Sequence, residues 1–413
     1  MSAKLLFSLC LIAMLSSCEP PSPEMVRTGL DRVDEFPELF AGKRVGIITN
    51  HTAYDAQGRH ITDVLMAMPR VTVTALFGPE HGIRGQEEAG SKVDSEVDPL
   101  KDVPIFSLYG ETNKPTPKML ENVDVLVYDI QDVGARFYTY IYTMALAMEA
   151  AAEQGKPFVV LDRPNPIGGE LVEGNLLEPE FATFVGLYPI PVRHGMTVGE
   201  LAKMFSGEGW LTNGVQPALT VVPLENWRRY QWYDQTGLRF IKPSPNIPDL
   251  ASATVYPGIC LMEGTTISEG RGTPTPFQLF GAPWIDGKLI CERLNALNLP
   301  GVIFQDTVFT PVATPGASSR PKHMDRPCGG AYLRVTDRQL FQPYRAGIHA
   351  VNAAYQMYPD SLDWRVRHFD RLCGTASVRE TIIAGGDVDS LVSSWDGEIE
   401  DFRVRRVKYL LYQ

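Results

Sequence analysis

The stretch VDVLVYDIQDVGARFYTYIYTMALAMEAAAEQG, residues 123–155, changes character twice. VDVLVYDI is apolar without alternation, which suits a strand covered on both faces of a parallel sheet. QDVG is polar and Gly-bearing. The segment from Ala135 onward reads as a long helix closed by Gly155. KPFVVLD, residues 156–162, is a second apolar run without alternation. Strand, helix, strand in this order needs a crossover connection, and a crossover makes the two strands parallel.

Upstream the same alternation continues. RVGIITN (44–50), VTVTALF (71–77) and VPIFSL (103–108) read as strands, and GRHITDVLMAM (58–68) reads as a helix by its apolar spacing. The fold class is therefore α/β, with a mostly parallel sheet. In such sheets ligands bind beyond the carboxyl ends of the strands. TNHTAYD, GPEHGIRG, DIQDVGARF and DRPNPIGG occupy those ends. They bring Asn50, His51, Glu80, His81, Arg84, Asp129, Gln131, Asp132, Arg136, Asp162, Arg163 and Asn165 to one edge.

Beyond the sheet, VGLYPIPVRHGMTVGELAKMF (185–205) ends in a helix with Thr197 as cap and Glu200 three residues on, a capping box. Residues 241–258 and 263–284 are rich in Pro and Gly and read as long functional loops. From 287 the alternation resumes: GKLICERLNAL helical, GVIFQDTVF and GGAYLRV strands, RAGIHAVNAAYQMY helical. A domain boundary is expected near residue 285, giving domains at 26–285 and 286–413.

The chain has 413 residues, 44% of them hydrophobic, enough for two domains. With 38 Lys+Arg against 49 Asp+Glu its net charge is -11, and no basic cluster points to nucleic acid or an anionic surface. There is no GxGxxG after the first strand, no GxxxxGK and no GxSxG, so neither a nucleotide nor a serine-hydrolase elbow is indicated. No two histidines stand at metal-ligand spacing, and no cofactor or metal is expected. MSAKLLFSLCLIAMLSSC, residues 1–18, resembles a bacterial lipoprotein signal peptide, with cleavage after 17 and a lipid on Cys18. EPPSPE follows as part of a short Pro-rich tether, 18–25. Cys260, Cys291, Cys328 and Cys373 remain for the mature chain, as disulfides or as small buried apolar residues.

Six long motifs carry a resemblance: GPEHGIRG, YDIQDVGARFYTYIYTM, LDRPNPIGG, VEGNLLEPEFATFVGLYPIPVRHGMTVGELA, PSPNIPDLASATVYPG and EGTTISEGRGTPTPF. They resemble the exo-β-N-acetylmuramidase family, long known only as a domain of unknown function, from about residue 26 to the C-terminus. The resemblance implies a Rossmann-like N-terminal domain, a smaller C-terminal α/β domain and an active cleft between them. It also implies release of N-acetylmuramic acid from the non-reducing end of peptidoglycan fragments. The simplest such substrate is the disaccharide with N-acetylglucosamine, β-1,4-linked. No protein partner is implied.

Cleaving a glycosidic bond needs a proton donor and a second acid, base or assisting amide. Glu80 is the first candidate, because a strand end offers both rigidity and exposure. Glu173 and Asp132 rank next, ahead of Asp129, Glu170, Glu263 and Glu269. His81 is expected to orient Glu80 or to bind a sugar hydroxyl. Asn50, Asp129, Gln131, Asn165, His194 and Glu269 are expected around the substrate. Muramic acid carries a lactyl carboxylate, and arginine suits it. Arg84, Arg136, Arg163, Arg193 and Arg271 are candidates, Arg84 and Arg271 leading. Two other classes stay open: a non-catalytic muropeptide-binding lipoprotein, and an esterase or amidase.

Overall fold

The computed structural model describes residues 25–92, 95–97 and 102–413. The expected signal peptide and Cys18 lie outside the described residues. The first domain is built on β1 (Arg44–Thr49), β2 (Thr72–Gly78), β3 (Glu96–Val97), β4 (Pro104–Ser107), β5 (Val125–Asp129), β6 (Pro157–Leu161) and β7 (Ala218–Val222). They form one seven-stranded sheet in the order β3-β4-β2-β1-β5-β6-β7. Every neighbouring pair is parallel except β3 with β4. Without the short antiparallel edge strand, the order is that of a Rossmann sheet, reversing between β1 and β5.

Alternate residues of each central strand feed different cores. Ile48, Leu126, Tyr128, Phe158 and Val160 join a large cluster with helices α2 (Tyr140–Glu153) and α3 (Val198–Gly207). Val45, Ile47, Val125, Val127, Val159 and Leu161 join a second cluster with α1 (Ile61–Ala67). The two-residue period of a strand puts these sets on opposite faces, so both faces need apolar side chains. That is why the strands read as unbroken apolar runs. The expected capping box is present: the Thr197 hydroxyl accepts from Glu200 N, and the Glu200 carboxylate from Thr197 N.

Helix α2 starts at Tyr140, five residues later than its apolar spacing suggests. The segment before it is held elsewhere. Ala135 makes an antiparallel bridge with Arg193, and Arg136 N donates to Val192 O at 2.7 Å.

The second sheet is β8 (Leu279–Ala282), β9 (Val302–Phe309) and β10 (Cys328–Val335), antiparallel in the order β8-β10-β9. Its first strand precedes residue 285, where the sequence suggests the domain boundary. The helices that follow the first domain are α4 (Leu250–Ile259), α5 (Gly287–Asn295), α6 (Pro343–Met357), α7 (Val366–Cys373), α8 (Ser377–Ile383), α9 (Val388–Ser393) and α10 (Asp396–Arg406); α5 packs on β9 and β10, and α6 on α4, α5, α8 and α9. Helix α4 falls in a segment whose Pro and Gly content reads as loop. It begins after Asp249, whose side chain accepts from Ser252 N, and carries Pro257 inside it. Packing of its buried residues outweighs the local cost of proline.

The last residues return to the first domain. Leu411 N donates to Glu200 at 2.9 Å, the Tyr412 hydroxyl to Asp162 at 2.5 Å, and Arg229 N to Gln413 O at 2.9 Å. The four cysteines are buried free thiols. Among the described residues, no helix is long and apolar enough to cross a membrane.

Candidate active site

The point between β1 and β5, where a Rossmann sheet ordinarily receives its ligand, is filled with the chain's own side chains. Asn50 Oδ1 accepts from Thr52 N at 3.0 Å and Thr52 Oγ1 at 2.6 Å. Thr52 Oγ1 accepts from Gln131 N at 3.0 Å, and Gln131 Nε2 donates to Asp132 O and Pro164 O, both at 2.9 Å. Asp129 is locked in a buried ion pair with Arg163, with Nη2 to Oδ2 at 2.9 Å. All of these residues are buried.

Several other expected site residues are also structural. Asn165 bridges Met196 O and Ile167 N. Asp132 accepts from Gly134 N at 2.7 Å and lies 3.7 Å from His194, which is itself wholly buried. Arg136, fully buried, donates to the carbonyls of Asn175, Ile190, Leu372 and Cys373. Arg193 is buried and donates to Ile167 O. Glu173 accepts from Arg345 N at 2.8 Å, in the first turn of α6. None of these lines the large cavity described next.

That cavity, of about 470 Å³, opens beside the ends of β2, β4 and β5 and is walled on its far side by residues of the second domain. Glu80 and His81 reach it from the loop after β2. The loop reverses tightly: His81, Gly82 and Gly85 all have positive φ, at 71°, 71° and 64°. A Cβ at Gly85 would stand 2.0 Å from the His51 ring, so only glycine fits there. His81 is not glycine, and its left-handed backbone is the kind of strain held in place at functional sites. Its Nδ1 bonds Glu87 O at 2.7 Å, and burial pushes its imidazole pKa down.

Glu80 is held by both oxygens. Oε2 accepts from Thr139 Oγ1 at 2.7 Å, and Oε1 from Gly90 N at 2.9 Å. Tyr109 lies beside it, its hydroxyl pKa raised by burial and by the Glu80 charge. Tyr138, Phe137, Tyr256 and Phe277 complete an aromatic wall.

The opposite wall is a chain of alternating charges. His368 Nε2 lies 3.5 Å from Glu263, Glu263 is 2.5 Å from Arg271, and Arg271 Nε is 3.4 Å from Glu269. Lys322 Nζ closes the series 3.0 Å from Glu269. Burial by itself would raise the Glu263 carboxyl, but Arg271 and His368 outweigh it and hold the pKa at about 2. Burial lowers the Lys322 ammonium, against the pull of Glu269. Arg271 also stacks over Phe277, 5.3 Å from the ring centre.

Of the expected residues, Glu80, His81, Glu263, Glu269 and Arg271 therefore meet in one cavity. Arg84 lines a neighbouring cavity of about 260 Å³ that shares His81 as a wall. Tyr109, Thr139, Lys322, Arg320, Arg365 and His368 join them without having been singled out by the sequence. Tyr109 closely follows a strand end, and that position was its signal. Thr139 is hidden in the apolar spacing of a helix that starts one residue later.

Fold and site together define a two-domain α/β protein, with a Rossmann-like sheet and a carboxylate-bearing cleft closed by the second domain. Residues 45–251 match the family model described as exo-β-N-acetylmuramidase NamZ, N-terminal, and residues 254–412 match its C-terminal counterpart. The chain is 47% identical over 389 residues to the peptidoglycan β-N-acetylmuramidase NamZ of Bacillus subtilis (strain 168), covering 94% of this chain and 91% of that one. Two solved structures of DUF1343 family proteins from Bacteroides fragilis NCTC 9343 superpose with TM-scores of 0.87 and 0.77, at 38% and 34% identity. Each covers 94% of this chain and 99% of its own. The chain belongs to the NamZ exo-β-N-acetylmuramidase family.

Proposed function

We propose that this protein is a glycoside hydrolase that releases N-acetylmuramic acid from the non-reducing end of peptidoglycan fragments, with Glu80 as its catalytic carboxylate. Membership of the family supports the reaction. The observation that supports the residue is Glu80 itself: an acid on the cavity wall, oriented by hydrogen bonds to both oxygens. In the reaction Glu80 gives a proton to the glycosidic oxygen as its bond to the anomeric carbon breaks. Water supplies the hydroxyl that the anomeric carbon gains, and its remaining proton restores the acid. The second acidic function falls to Glu263 or Glu269, which share the cavity, and not to Glu173 or Asp132, which do not line it. Glu263, held ionised by Arg271 and His368, places fixed negative charge near a sugar ring that becomes positive in the transition state.

The purified chain is expected to release chromophore from a β-N-acetylmuramide much faster than from the matching β-N-acetylglucosaminide. Equal rates on both would remove the muramidase reading. Binding of the muramide without any release would leave a muropeptide-binding protein.

The segment MSAKLLFSLCLIAMLSSC supports a location at the bacterial envelope, with a lipid on Cys18 and the catalytic domains held outside the cytoplasm by a short tether. Cys18→Ala is expected to move the protein from the membrane fraction to the soluble exported fraction, or to block its maturation. Unchanged membrane attachment would refute the anchor.

A further inference from the structure

The two walls of the cavity differ in charge. On the second domain's side, Glu263 and Glu269 are matched by Arg271 and Lys322. Those two cations are occupied: Lys322 also donates to Met262 O and Ile267 O, at 2.7 and 2.8 Å. That leaves Glu80 and Glu88 toward the first domain, and Arg320 and Arg365 on the second domain's rim. Among the described residues, neither rim guanidinium has an acid within ion-pair distance, and both are exposed. Two unmatched guanidiniums thus line the same cavity as Glu80 and Glu88, and unmatched cations at a cavity rim attract an anionic ligand.

Both arginines stand on fixed supports. Arg320 belongs to a strap, residues 314–322, that crosses back toward the first domain. Thr314 and Ser318 bond each other's backbones at 2.8 Å, Asn246 Nδ2 donates to Ala317 O at 2.8 Å, and Ser319 Oγ donates to Glu88 Oε2 at 3.0 Å. The buried Pro321 and the anchored Lys322 follow it directly. Arg365 immediately precedes α7. Its N–H donates to Gly264 O at 2.8 Å, beside the Trp364–Thr265 bridge. Their backbones are already ordered, so binding has only the two side chains left to immobilise.

We infer that Arg320 and Arg365 form the carboxylate-reading rim of this cavity: they receive the lactyl carboxylate of the muramic acid ring while Glu80 faces the glycosidic oxygen. This rests on the proposed function and names the residues that would distinguish muramic acid from glucosamine. The assignment differs from the expectation that Arg84 or Arg271 does so. Arg84 lies in the neighbouring cavity, and Arg271 is already held by two glutamates. The lactyl ether is on the third ring carbon, two carbons from the bond that breaks, so a ring can present its carboxylate to one wall and its anomeric centre to the other.

The test is binding measured by calorimetry, which is independent of turnover. The ligands are N-acetylmuramic acid and its lactyl methyl ester, which keeps the shape and removes the charge. Wild type is expected to bind the acid about tenfold or more tightly than the ester, as for charge-assisted bonds at a part-exposed site. In the Arg320→Ala/Arg365→Ala double variant the two affinities converge. Removing charge from the ligand and removing it from the protein then cost no more together than either alone. The double lysine variant recovers part of the preference, since it restores charge without the planar fork. Equal binding of acid and ester by wild type overturns the proposal, as does a folded double alanine variant that keeps the preference. Preference for the acid without any turnover of a muramide overturns the glycosidase reading alone and leaves the rim in place.

Discussion

Glu80 and Glu173 are both acids in loops beyond the sheet, and the sequence ranks them as partners. Their surroundings separate them. Glu80 is on a cavity wall, whereas the Glu173 carboxyl is enclosed at the start of α6 with one oxygen on Arg345 N. Burial pushes the Glu173 carboxyl up to about 7, only partly opposed by the Arg345 N–H and the Arg193 charge. The ordinary value is 4.5, so the folded chain holds this proton more tightly than the unfolded one. The resulting stability is complete below pH 4.5 and is lost as pH rises through 7. Asp162, also pushed up to about 7 by burial, acts in the same direction. Glu173→Gln keeps an acceptor for Arg345 N and has no proton to lose. Its melting temperature is therefore expected to fall less than wild type's between pH 5 and 8; parallel curves would contradict this. The residue types at the strand ends were legible in the sequence, but their directions were not. Asp129 and Asn50 have the same polar character as Glu80, yet they spend it on Arg163 and Thr52. Only the folded positions of those partners decide which acid faces the cavity.

At the scale of elements, the strands of the first domain were legible because both faces of the sheet are buried. A strand covered on both sides must be apolar at every central position, and polar turns bound each of these runs. Helix α4 was hidden for the opposite reason. Its sequence, LASATVYPGI, contains residues that usually end helices. Gly258 is there because α4 and α6 cross backbone to backbone. A Cβ on Gly258 would stand 1.9 Å from Pro343 O, and one on Gly347 would stand 2.3 Å from Gly258 O. The glycines look like loop residues in the sequence and serve as a helix contact in the fold. The same contact accounts for a second domain that begins earlier than a reading of loops suggests: α4 packs on α6, and β8 pairs with β10.

At the scale of the molecule, the proposed catalytic cleft belongs to neither domain. The sheet supplies Glu80, His81, Tyr109 and Thr139, and the second domain supplies Glu263, Glu269, Arg271, Lys322 and the arginine rim. Tyr412 and Leu411, bonded to Asp162 and Glu200, tie the end of the chain back to the first domain and help fix the two walls. The half of the site from the sheet was visible at its strand ends. Of the other half, Glu263, Glu269 and Arg271 were visible in their motif, but Lys322, Arg320 and Arg365 were not, because they come from segments with no periodic or motif signal. With the Rossmann switch point filled, all of the proposed chemistry is assigned to this second cleft. The most direct measurement is turnover of a chromogenic β-N-acetylmuramide by Glu80→Gln beside Glu173→Gln, each first shown to be folded. Glutamine keeps the size of Glu80 and cannot exchange its proton, so the account predicts a loss of roughly 10²-fold or more for Glu80→Gln, with turnover by Glu173→Gln close to wild type. A folded Glu80→Gln protein that works at the wild-type rate would contradict it.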